Sequence, residues 1–263
     1  SAVFATDELA PRLHRAVSQL RLTVVEEHDA YGDSVADAVA AEATARGAQV
    51  SPMIRYDAYR PDWNTVFAAV ASGRPDVLVL ASYIPDGVTF RREMIRRGVT
   101  VGALIGTTMA ECGPEFGAEL GNDAIGVFAS DRPTSGFNAS ALSPSARVAY
   151  DLLVGEYRHR FQATPGTEAI ASFAAAWALL HHVIPAARSL SPAGIDAAAR
   201  AADLPTGALP NGAGLHFSSA GADRGQNLLS ASVIWQWQAY RHSVTVWPPL
   251  LATGAPRLVP LPR

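Results

Sequence analysis

The feature that most constrains this chain is a repeating period. Between residues 21 and 128, short apolar runs rich in β-branched side chains alternate with amphipathic stretches that stop at glycine. Leu22-Thr23-Val24-Val25 predicts a buried strand. The helix expected after it carries Val35, Val39 and Ala43 on one face and stops at Gly47. Val50 to Tyr56 predicts the next strand, and Asp62 caps a helix bearing Val66, Phe67 and Val70 that ends at Gly73. Asp76 to Leu80 is the most continuous apolar strand, and Asp86 is placed as the cap of the helix after it. Val99 to Ile105, a short helix from Pro114 to Leu120, and Ile125 to Phe128 continue the series. Strands alternating with helices imply an α/β fold, a parallel sheet with helices on both faces. Ligands on such sheets lie off the carboxyl ends of the strands. Those ends are Glu26-Glu27-His28-Asp29, Ser82-Tyr83 and Gly106-Thr107-Thr108.

After Phe128 the pattern becomes helical. A loop rich in Ser, Pro, Gly and Asn leads to Ser143-Pro144, a cap followed by a first-turn proline. Helices are expected from there to about Phe161, from Thr167 to Ala187, and from about Pro192 to Ala202. A Gly-rich loop, residues 210–214, leads into Leu215-His216-Phe217. Two strands follow, Ala231 to Trp237 and Val244 to Trp247, then a Pro-rich tail expected to lie extended over the surface. Trp235 and Trp237 share one strand face, for which core packing is the expectation.

Several function classes are excluded by content. The 263 residues carry a net charge of −3 without a basic stripe, so nothing points to nucleic acid. All basic residues are arginine, which reads as codon bias. The longest apolar stretch, Ala169 to Ala187, is interrupted by His181, His182 and Pro185 and falls short of a membrane span. One cysteine, Cys112, permits no internal disulfide and reads as unreactive. There is no G-x-S-x-G elbow, Walker loop, H-E-x-x-H or C-x-x-C, so no catalytic residue, cofactor or enzyme activity is assigned. The run Glu26 to Asp29 has a metal-like composition, but consecutive strand residues face opposite ways, so a solvated loop is expected and no metal. His181 and His182 lie about 100° apart on a helix and cannot chelate one ion.

Four segments carry a family resemblance. Val24 to Gly32 resembles the "strand, acidic loop, Tyr-Gly, helix" that opens the second lobe of branched-chain amino acid binding proteins. Arg74 to Leu80 with Ser82-Tyr83 is similar to their "Pro-Asp, apolar strand, small residue-Tyr" segment. Ala213 to Phe217 resembles their "G-x-I-x-F", and Val244 to Pro248 their terminal "V-x-V-W-P". The chain thus resembles a type I periplasmic, extracytoplasmic solute-binding protein of the branched-chain amino acid and amide class. The resemblance implies a non-enzyme that closes on a small polar or amphipathic ligand and feeds an ABC transporter permease. The alternative is a sensory domain of the same fold coupled to a signalling partner.

The resemblance further implies a ligand set of Tyr31, Tyr83, Thr107, Thr108 and Asp86. Thr108 stands about where amino-acid binders of the family place a carboxylate for the ligand ammonium; Glu111, three residues on, is a substitute. Implied domains are 1–20 as the end of the first lobe, 21–130 as the second lobe, 131–228 as the helical part of the first lobe, and 229–263 as a return to the second lobe with the tail. The hinge is expected to include residues 129–133. The helix from Ala169 carries Ile170, Phe173, Trp177, Leu180, Val183 and Ile184 around most of its circumference, and such a helix must be buried. Leaving such side chains in water costs on the order of 1.5–3 kcal/mol each. A missing N-terminal segment or second chain is therefore expected to cover Phe173, Trp177 and Leu180.

Overall fold

Every residue of Val77–Ser82 is buried, so this strand has helices on both sides. Its alternate side chains divide the core. Val77 and Val79 join one apolar cluster with Leu22, Val24 and Ile105, while Leu78 and Leu80 join another with Val25 and Leu104. The computed structural model describes residues 1–262 other than Met109, Cys112, Ser135 and Ala222, with the backbone alone at Thr108. The Cys112 reading and the Thr108 side chain therefore lie outside the described residues.

The described chain forms two units. The first comprises Ser1–Asp131, Ile234–Trp247 and Gly254–Arg263. Its strands are β1 (Arg21–Glu27), β2 (Gln49–Val50), β3 (Ile54–Tyr56), β4 (Val77–Ser82), β5 (Ala103–Thr108), β6 (Phe128–Asp131), β9 (Val233–Ala239) and β10 (His242–Trp247). The order across the sheet is β10-β9-β6-β5-β4-β1-β2, with β3 also beside β1. Pairings among β1 to β6 are parallel, and β9–β10 is an antiparallel hairpin. Helix α1 (Ala30–Ala45) covers the first face with an N-terminal helical segment. Helices α2 (Trp63–Gly73), α3 (Ile84–Arg96) and α4 (Pro114–Leu120) cover the second.

The α/β expectation holds, with local corrections. The strand expected over Val50 to Tyr56 is two short strands, because Pro52 between them has no N–H to give the ladder. Asp86 is not a cap: α3 begins at Ile84 after Tyr83, and Asp86 stands in its first turn. Ser1 to Leu20, expected to end a first lobe, belong to the first unit. Phe4 is fully buried there, its ring 5.2 Å from Phe128 and 6.5 Å from Trp247. The tail is anchored rather than merely laid over the surface: Leu261 is buried and bridges to Val101, and the Gln236 side-chain amide donates to the Arg257 carbonyl at 2.6 Å. Trp235 and Trp237 are both buried.

The second unit comprises Arg132–Val233 and Pro248–Thr253. The division at Asp131 falls inside the segment expected to hold the hinge. Helix α5 (Pro144–Phe161) starts with Ser143 accepting from the Ala146 N–H at 3.3 Å. Helix α6 spans Thr167–Ala186, continuous through His181, His182 and Pro185, so those residues do not interrupt it. It is long and apolar enough to cross a membrane, with mean hydropathy 1.5. Helix α7 (Pro192–Ala201) and a ribbon of β7 (Asp203–Leu204) and β8 (Leu215–His216) complete the unit. Ala178, Val183, Ala198, Leu209, Ala213 and Leu215 form its small core. Only 22% of the α6 stretch is buried. Phe173 and Trp177 are half-buried and stacked at 6.0 Å, and Leu180 is 59% exposed. Val148, Leu152 and Phe161 of α5 are exposed as well, so this unit carries an unpartnered apolar surface.

Candidate functional site

The β1–α1 loop gathers polar groups at the carboxyl end of the sheet. Asp29 is the helix cap: its Oδ1 accepts from the Gly32 N–H at 2.5 Å. Gly32 is obligatory there, since a Cβ would run into the Glu27 carbonyl oxygen. The other carboxylate oxygen of Asp29 accepts from the Tyr83 hydroxyl at 3.2 Å. One side chain thus ties the loop after β1 to the loop after β4. The rings of Tyr31 and Tyr83 are consequently neighbours, with centroids 6.4 Å apart and planes tilted by 40°. Tyr31 is 51% exposed, so its ring offers a face to solvent.

Around this pair the charge is acidic. Glu27 is half-buried and accepts from the Tyr83 backbone N–H; burial, then the nearby charge of Asp86, raises its pKa. Burial raises Asp86 too, and the Tyr56 hydroxyl beside it opposes the rise. The pKa of Tyr83 is raised by burial and then by the Asp29 carboxylate that accepts the hydrogen bond from its hydroxyl. A ring with an apolar face and a fixed hydroxyl suits an amphipathic ligand.

The expected residues do not all converge. Tyr31 and Tyr83 meet. Asp86, in the first turn of α3, stands beside Tyr56 and near Glu27. Thr107 is placed apart: it lines a different concavity with Ser1, Val35 and Ser130, because its parity on β5 matches Ala103 and Ile105, which face α1. Thr107 is therefore removed from the shared set. Glu111 is fully buried and its carboxyl occupies the space over Gly106, so it is not presented to a ligand. The solvated-loop expectation for residues 26–29 is also corrected. Glu26 is wholly buried and paired with Arg55, and Asp29 is a cap and clasp. Sequence reasoning passed over Asp29. Its signal was an Asx residue three positions before Gly32 at a helix start.

A mostly parallel sheet covered on both faces, with two neighbouring tyrosines at the carboxyl ends of its strands, is the kind of α/β lobe on which ligands settle at the strand ends. Comparison with known proteins narrows that class. Residues 4–227 match the family model described as periplasmic binding protein. The chain belongs to the periplasmic binding protein family. It is 25% identical over 242 residues to Leu/Ile/Val-binding protein homolog 8 of Brucella abortus, covering 91% of this chain and 57% of that protein. Homolog 7 from the same organism is 23% identical, with 95% and 61% covered. In structure it resembles a leucine-binding protein from Thermotoga maritima (TM-score 0.71, 17% identity, 94% of this chain and 63% of that one). It also resembles an extracellular ligand-binding receptor from Rhodopseudomonas palustris (TM-score 0.71, 16% identity, 94% and 68%). The chain thus spans about three-fifths of the length of the curated relatives it matches.

Proposed function

We propose that this chain is the ligand-gripping part of an extracytoplasmic solute receptor of an ABC importer, acting without chemical turnover. The single observation that carries this reading is the clasped tyrosine pair at the carboxyl ends of β1 and β4. Its ligand is a small amphipathic solute with an aliphatic or amide-bearing body, in keeping with relatives named for Leu/Ile/Val binding. The aliphatic part lies on the tyrosine faces, and closing around it removes that apolar area from water. The Thr108 side chain, at the end of the neighbouring strand, is the further contact this reading proposes.

The exposed apolar surface of the second unit supports a further part of the reading. In a receptor of the relatives' length, additional chain would supply the sheet that covers Phe173, Trp177 and Leu180. Contacts from that part would add to the affinity, so the chain by itself binds its solute weakly. A thermal-shift screen of L-leucine, L-isoleucine, L-valine, their amides and simple aromatic acids tests the reading. A stabilising member of the panel is expected, and Tyr31→Ala and Tyr83→Ala are expected to abolish its effect. A stabilising ligand indifferent to both substitutions would overturn the site.

A further inference from the structure

The first unit has a second concavity at the opposite end of the same strands, and its chemistry is the reverse of the tyrosine site. It measures about 460 Å³, and Arg21, Arg74 and Arg97 line it together with apolar wall from Val70, Pro75 and Val99. Arg21 opens β1, whereas Tyr31 follows its end; a seven-residue strand separates the two regions by roughly 20 Å.

The charges there do not cancel. Asp76 accepts from Arg21 at 3.0 and 3.2 Å and meets Arg15 at 3.4 Å. Burial alone would raise Asp76, yet the hydrogen bonds from Arg21 hold it below the usual carboxylate range. Glu93 pairs with Arg96 at 2.6 Å and with Arg97 at 2.9 Å, and these bonds bring its pKa down to about 2. Arg97 also donates to the Asn64 side chain at 2.8 Å. Arg74 has no ion pair and no side-chain hydrogen bond among the described residues. Of the three guanidinium groups that line the concavity, Arg21 is matched by Asp76 and Arg97 by Glu93, and each of those carboxylates is shared with a further arginine, so the charge of Arg74 is left without a counterpart.

Backbone geometry adds to the case. Arg74 follows the last residue of α2 with φ 43°, the left-handed position where glycine or asparagine is favoured. An arginine stands there instead, at a concavity that already holds two others.

We propose that this concavity binds a small organic oxyanion, a carboxylate or phosphate monoester carried on an apolar body. The planar fork of Arg74 would meet two oxygens of the anion, the paired arginines would add their field, and Val70, Pro75 and Val99 would cover the apolar part. This site is independent of the proposed solute site.

The test is a titration of the arginine Nε–H resonances of the whole chain with phenyl phosphate, benzoate, inorganic phosphate and benzylammonium. Phenyl phosphate and benzoate are expected to shift Arg74, Arg21 and Arg97 saturably, and to leave the Tyr31 and Tyr83 ring signals unmoved. Arg74→Gln should weaken phenyl phosphate by about tenfold or more, as loss of a charge-assisted hydrogen bond requires. Thr100→Glu, an exposed substitution on the same wall, should weaken it as well. No saturable shift, equal affinity for inorganic phosphate, or binding of benzylammonium overturns the proposal. So does undiminished affinity in both variants.

Discussion

Asp29→Ala should loosen two loops at once, and the structure sets the size of the effect. The substitution removes the cap of α1, in which Oδ1 accepts from the Gly32 N–H at 2.5 Å. Losing such a cap costs about 0.5–2 kcal/mol. It also removes the acceptor of the Tyr83 hydroxyl, at 3.2 Å in a half-exposed setting, which adds about 0.5–1 kcal/mol. The total is about 1–3 kcal/mol. Tyr83→Phe removes only the second part, and Asp29→Asn keeps the cap. Because the two side chains share one hydrogen bond, the double variant Asp29→Ala/Tyr83→Phe should fall short of additivity by about 0.5–1 kcal/mol. Native-state hydrogen exchange of β1 and β4 amides reads the first unit alone, which matters in a chain of two units. Additivity within about 0.3 kcal/mol would refute the clasp. An Asp29→Ala cost below about 0.3 kcal/mol would refute the cap as well.

Other expectations follow from the core. Burial holds the Glu111 carboxyl well above its ordinary 4.5, with the charge of Arg91 opposing. The folded chain therefore keeps a proton that the unfolded chain releases above about pH 4.5, so stability falls as pH rises through that range. Thermal melts of Glu111→Gln from pH 5 to 8 should be flatter than those of the parent; an unchanged pH slope would contradict this. A Cβ on Gly106 would overlap the Glu111 carboxyl, so Gly106→Ala should destabilise by more than about 1 kcal/mol in the same melts. Trp235→Ala, at a fully buried position, should cost about 3–5 kcal/mol by denaturant unfolding. Leu180→Glu, at an exposed apolar position, should cost less than about 0.5 kcal/mol and lower self-association in light scattering.

Much of the architecture was legible because the sheet is buried on both faces, which writes each strand as an apolar run and each helix as a periodic one. Asp62 and Ser143 mark their helix starts in both sequence and structure. Boundaries failed where a local rule competed with the pattern. Pro52 divided one expected strand, and β5 begins at Ala103 although the apolar run opens at Val99. The assignment of residues 1–20 failed for a different reason. Phe4 and Leu9 are compatible with either lobe by periodicity, and only the tertiary contacts with Phe128 and Trp247 decide. At the site, position along the strands identified the Tyr31–Tyr83 neighbourhood. Which way a strand-end side chain turns was harder: Thr107 goes to the α1 face by parity, and Asp29 acts through a hydrogen bond to a residue 54 positions away.

The central claim is that Tyr31 and Tyr83 together form the platform for an amphipathic solute. The direct measurement is the aromatic ¹H–¹³C spectrum of the chain, titrated with L-leucine, L-isoleucine and L-valine. The account predicts saturable shifts of the Tyr31 and Tyr83 ring signals, with Kd of about 1 mM or weaker for this chain alone. The exposed rings of Tyr59 and Tyr240 should stay still. Saturable shifts confined to other rings, or none at concentrations well above that range, would contradict it.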